Sequence, residues 1–204
     1  MTLPLIIFLL AAVIPVFFGK IRSAPFWLCL QAIMLGWNGI AQHAEISNHA
    51  LLALFEIIVV RVCMAPLLLR RTIHRRAEPN LDLMPPNLFA WAIGAALIVL
   101  AFEFGGVSMT NPGALTLGVV GATVMIALLI LSTNSSPPAQ LVALLFMENA
   151  LMLFESLLPE PWPLPVHAAL GAVYILTVGV GSWLLGTPSS SRVLMNQEER
   201  KEIL

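Results

Sequence analysis

Residues 50–71 read ALLALFEIIVVRVCMAPLLLRR, an apolar run from Ala50 to Leu69 interrupted only by Glu56 and Arg61 and closed by Arg70-Arg71. A helix of about 20 such residues is long enough to cross the roughly 30 Å hydrocarbon core of a bilayer. Its arginine pair is the usual mark of a cytoplasmic boundary. The rest of the chain is of the same kind. Of its 204 residues 59% are hydrophobic and 10% are charged, with a mean hydropathy of +0.91. A soluble domain carries roughly 25% charge to cover its surface. The composition therefore predicts an integral membrane protein made of helices.

Six further runs of spanning length are predicted: Leu3 to Phe18, Ala24 to Ala44, Leu88 to Phe104, Ala114 to Leu131, Ala139 to Leu158 and Val166 to Gly186. No Lys or Arg precedes the first run, and Lys20 and Arg22 follow it, which is the reverse of a signal peptide. It is read as a retained helix with its amino end outside. Seven spans put Lys20 and Arg22, then Arg70, Arg71, Arg75 and Arg76, then Arg192, Arg200 and Lys201 all on one face. The opposite face receives no Lys or Arg. The tail is then cytoplasmic. The organisation expected is a helix triplet in residues 1–76, a linker with helix 4 in 77–112, a second triplet in 113–186 and a solvated tail in 187–204.

Several function classes are excluded by what the chain contains. A net charge of −1 offers no basic surface for nucleic acid. Cys29 and Cys63 are too few to ligate an iron–sulfur cluster and are read as small core residues. No phosphate-binding or nucleophile motif is present. His43, His49 and His167 fall at the outer face and are not read as a metal or haem site.

The informative residues are polar groups where lipid is expected, because a charge at mid-bilayer costs roughly 2.5–3.5 kcal/mol on insertion scales. Glu148 falls near the middle of helix 6, with Glu155 two turns further on the same face. Arg61 falls near the middle of helix 3, five residues after Glu56. In an α-helix that spacing does not bring two side chains face to face. Gln31 and Asn38 repeat at a step of seven in helix 2, continued by Glu45. Glu148, Glu56, Arg61, Glu155, Gln31 and Asn38 are the candidate proton-relay residues. Each also has a structural reading, in which the charges lock the bundle as ion pairs and the amides join helices. Gly171, Gly179 and Gly181 are expected to allow close helix contact.

Helices 1 to 3 and 5 to 7 read alike in outline, with helix 4 restoring the starting side, so the two triplets are parallel repeats. The triplet, with its basic turn before helix 2 and Glu56 ahead of Arg70-Arg71, resembles the K subunit of respiratory complex I. The first glutamate of that family falls at Gln31 in the first triplet and at Glu148, within Met147-Glu148-Asn149, in the second. Helix 7 has no counterpart of the second glutamate. Over nearly the whole chain the closer resemblance is to component E of hydrogenase-4, a seven-helix relative. The carrying features are the Arg22 to Gln31 spacing, Arg61 five residues before Pro66, and Met147-Glu148-Asn149.

The resemblance implies a non-catalytic membrane-arm subunit of a formate hydrogenlyase-type or complex I-like oxidoreductase complex in a bacterial or archaeal inner membrane. Antiporter-like subunits would flank it, and peripheral partner subunits would hold the nickel–iron site and iron–sulfur clusters. This chain would hold no cofactor or metal and would contribute buried carboxylates to proton translocation. Two other classes stand beside this one: a scaffold subunit that docks its neighbours without conducting protons, and a free-standing small-solute carrier.

Overall fold

The computed structural model describes residues 2–42, 48–76, 82–84, 88–106, 111–158 and 162–186. Their architecture is all-helical, without a strand among the described residues. The helices are α1 (Thr2–Phe17), α2 (Ala24–Gln42), α3 (residues 48–76), α4 (Leu88–Phe104), α5 (Pro112–Thr133), α6 (Pro137–Glu155) and α7 (Leu164–Gly186). Five of these seven rods contain segments long and apolar enough to cross a membrane: Ile21–Ala41, Leu51–His74, Pro112–Thr133, Pro137–Glu155 and Leu164–Leu185. α1 and α4 are apolar but shorter, at 16 and 17 residues. Such a set of helices is that of a multi-pass membrane protein. The tail beyond 186, with Arg192, Arg200 and Lys201, lies outside the described residues, as do His43 and Glu45.

Local chemistry sets the helix ends. α5 begins at Asn111, whose side chain accepts from the N–H groups of Gly113 and Ala114 at 3.0 and 3.3 Å, while Pro112 occupies a position where no N–H is needed. Pro137-Pro138 likewise opens α6 where no N–H is needed, although Ser136 at its cap makes no side-chain bond to the helix. Asn134 organises the turn between these helices. Its oxygen accepts from Ser136 N–H at 2.9 Å, and its amide donates to the carbonyls of Asp82 and Leu83 at 3.0 and 3.1 Å. Lys20 reaches Asp82 at 2.8 Å. The α1–α2 turn, residues 82–84 and the α5–α6 turn thus meet at one end of the bundle, where α3 also finishes. This is the basic end.

α3 is not a plain α-helix. Asn48–Glu56 and Ala65–Arg76 are α-helical, but Ile57–Met64 between them is a π-helix, in which Ala65 N–H donates to the carbonyl of Val60, five residues back. The rod also continues to Arg76, beyond the apolar limit at Leu69, because the helix persists into the polar boundary once its arginines can reach water.

α1 packs on α2 and α5 on α6. Across the molecule α1 lies against α5, α2 against α6 and α3 against α7, whereas α4 packs on α5 and meets the end of α1 through Trp91 and Phe17, 6.0 Å apart. The core is densest where α5 and α6 meet the rest: Ile126, Ala127, Ile130, Val142, Leu145 and Phe146 are buried with Leu28 and Leu69. The outer faces of α3 and α7 expose large apolar side chains such as Phe55, Ile58, Leu176 and Trp183, the surface that lipid would cover. Gly181 meets Leu141 of α6 and Gly171 meets Glu56, as close helix contacts require, but nothing lies within 4 Å of a Cβ built on Gly179. Cys29 is half-buried and Cys63 exposed, so Cys63 is not the core residue expected.

Candidate functional site

Between α2, α3, α6 and α7, away from both ends of the bundle, a polar cluster gathers around Arg61. Its side chain is 2% exposed, in a largely apolar interior. The guanidinium Nε donates to Glu56 Oε1 at 3.0 Å and lies 3.3 Å from Oε2. Its Nη1 donates to Asn149 Oδ1 at 2.9 Å. Asn149, fully buried, passes the contact on by donating from Nδ2 to Gln31 Oε1 at 2.9 Å. The face of the guanidinium lies over the ring of Tyr174, 4.0 Å from Cζ to the ring centroid, a cation–π contact. One charge thereby finds a carboxylate, an amide and an aromatic face, as a cation buried in an apolar interior must.

The Glu56–Arg61 pair corrects the expectation from spacing. Residues five apart diverge in an α-helix, but the i→i+5 hydrogen bonding of the π stretch winds the chain more loosely and turns Arg61 back over Glu56. Gly171 of α7 makes room for the acid: a Cβ there would stand 3.3 Å from Glu56 Cγ.

Glu148 stands beside this network on α6. Its Oε1 accepts from Thr177 Oγ1 of α7 at 2.7 Å, and its Oε2 is buried with no hydrogen-bond partner among the described residues. A cavity of about 40 Å³ is lined by Arg61, Glu148, Leu151, Met152, Leu170 and Val173. One water needs about 10–15 Å³ and several polar partners, so the space suits water touching both charged groups. Within the cluster around Arg61, Gln31 Nε2 and Tyr174 Oη are also buried without a hydrogen-bond partner among the described residues.

Of the six candidate residues, Gln31, Glu56, Arg61 and Glu148 converge. Asn38 is 3% exposed, but among the described residues its amide nitrogen has no hydrogen-bond partner and it makes no bond to the cluster. Glu155 faces α7, as its two-turn step from Glu148 predicts, but forms a separate site: it accepts from Trp162 N–H at 3.1 Å, and its second oxygen is 3.3 Å from His167 Nδ1. His167 thus answers an acid. Among the described residues no group of three His, Cys, Asp or Glu is placed to hold a metal.

Asn149, Tyr174 and Thr177 are members of the site that the sequence reading did not select. Tyr174 is the single tyrosine of the chain, and with Thr177 it occupies the part of α7 where an acid was found lacking. That an apolar span retains its only tyrosine beside a threonine one turn away was the available signal. No protein-family model, curated protein or solved structure matches the chain.

Proposed function

We propose that the chain is a seven-span subunit, amino end outside and tail cytoplasmic, of a membrane-bound redox complex of the hydrogenase-4 and complex I type, and that it moves protons and not electrons. In this reading residues 1–76 and 113–186 are parallel triplets. Their helices pack as counterparts, α1 on α5, α2 on α6 and α3 on α7, as two repeats about a common axis would. Nickel–iron and iron–sulfur centres belong to peripheral subunits, and antiporter-like subunits flank the chain in the membrane.

The observation that carries the reading is Glu148: a carboxylate with one oxygen held by Thr177 and the other without a hydrogen-bond partner among the described residues, at a water-sized cavity shared with Arg61. A proton taken up at Oε2 from cavity water removes one negative charge from the site and leaves Arg61 with Glu56 as its carboxylate partner. Release restores the charge. Gln31 and Asn149 hold Arg61 in place through either state. Because Glu148 can gain and lose a proton without breaking the Glu56–Arg61 pair, it is the relay group, and Arg61 and Glu56 form its electrostatic frame.

A scaffold role is favoured by one observation, the closed chain Glu56–Arg61–Asn149–Gln31, which has the form of a static helix clamp. Glu148→Gln separates the two. With the assembled complex in proteoliposomes and a pH-sensitive dye inside, the relay reading expects proton uptake coupled to electron transfer to be lost while assembly is retained. Normal uptake by the assembled variant would leave the scaffold reading standing in its place.

A further inference from the structure

The basic end of α3 carries a second feature, separate from the buried cluster. Met64, Leu67, Leu68, Arg71 and His74 recur at steps of three and four and so share one face of the helix, with Arg70 beside Arg71. Together these six line an open groove of about 570 Å³. The groove changes character along its length. Leu67 is 62% exposed, and with Met64 and Leu68 it makes an apolar wall; one turn on, Arg70, Arg71 and His74 are all exposed. His74 Nδ1 lies 3.0 Å from the carbonyl of Arg70, which fixes the ring beside the arginines. No carboxylate among the described residues meets Arg70 or Arg71, and Asp82, the acid described at this end, is held by Lys20 at 2.8 Å.

We infer that this groove seats an anionic phospholipid, with its phosphodiester on Arg70 and Arg71 and one acyl chain along Met64, Leu67 and Leu68. The inference rests on the reading of the chain as a membrane protein and is independent of proton transfer. Guanidinium groups suit phosphate oxygens because their planar forks donate in pairs. Two cations with no carboxylate partner among the described residues select a net-negative headgroup over one that also carries an ammonium. A free phosphate or soluble phosphorylated ligand would meet the arginines but leave the apolar wall bare, whereas an acyl chain covers it.

The full chain in nanodiscs of phosphatidylcholine doped with phosphatidylglycerol, followed by native mass spectrometry, tests the inference. The wild-type chain is expected to retain phosphatidylglycerol in preference to phosphatidylcholine. In Arg70→Gln/Arg71→Gln that retention falls about thirtyfold, the loss of two surface cations at about 1 kcal/mol each. Leu67→Trp, which fills the groove and leaves every charge in place, also lowers it and serves if the double variant does not insert. Equal retention of the two lipids by the wild-type chain, or undiminished retention by both variants, overturns the inference. Displacement of the lipid preference by millimolar inorganic phosphate assigns the arginines to free phosphate and overturns it as well. A chain that does not enter the disc at all would refute the membrane reading itself, and that is seen before any lipid is counted.

Discussion

Arg61 shows how a single residue organises a site through contacts of different strength. Its carboxylate and amide bonds are charge-assisted, while the contact with Tyr174 uses only the ring face. The phenol oxygen of Tyr174 is buried without a hydrogen-bond partner among the described residues, so the ring and not the hydroxyl is the part that stabilises Arg61. Tyr174→Phe is therefore expected to keep the thermal midpoint of the detergent-solubilised protein, whereas Tyr174→Leu should lose about 0.5–2 kcal/mol of cation–π energy. Equal losses from the two substitutions would move the role to the hydroxyl. At this scale the sequence was most informative about charge. Glu56, Arg61 and Glu148 stand out because lipid penalises them, whereas Tyr174 and Asn149 are cheaper to bury and leave only weak signals, a lone tyrosine near a threonine and an amide next to Glu148.

The π-helical stretch is the element on which the site depends. An α-helical α3 would separate Glu56 from Arg61; the looser winding through Ile57–Met64 joins them. This permits a test by exchange. Glu56→Ile with Ile57→Glu keeps composition and hydropathy but moves the acid from its place against Arg61 to position 57, where the side chain is 7% exposed in an apolar cluster with Leu35 and Leu153. The exchanged protein is expected to lose about 3–5 kcal/mol, the usual cost of leaving a buried charge without its partner. Wild-type stability in the exchanged protein would mean that Arg61 does not depend on the acid at position 56. Apolar periodicity revealed the existence of every rod, because burial in lipid demands long apolar runs. It was blind to the π stretch, since an apolar run reads the same in either winding. The sole trace was the five-residue step from Glu56 to Arg61, which made sense only once the winding was known.

Across the whole molecule, the distribution of Lys and Arg foretold which turns lie together. Lys20, Asp82 and Asn134 meet at the basic end, and Gly106 and Trp162 belong to the other. In a background where Cys29 and Cys63 are replaced by Ala, single cysteines at Asn134 and Ser23 should react with a membrane-impermeant maleimide only from the cytoplasmic side. Cysteines at Gly106 and Trp162 should react only from outside. Labelling of Asn134 and Gly106 from one side would reject the orientation. The helical membrane class and the meeting of the Lys20, Asp82 and Asn134 turns at one end were thus legible, because both follow from hydropathy and charge. The approach of α2 to α6 and of α3 to α7 was not, because it depends on how individual side chains fit together. The position of Glu56 bears finally on how such a chain is made. Arg61 meets Asn149 only across 88 residues of later sequence, yet Glu56 precedes it in its own helix. Threaded from the ribosome in order, α3 therefore brings its counter-ion with it, and the insertion machinery handles a neutral pair, not a bare cation, while the rest of the bundle is still unmade.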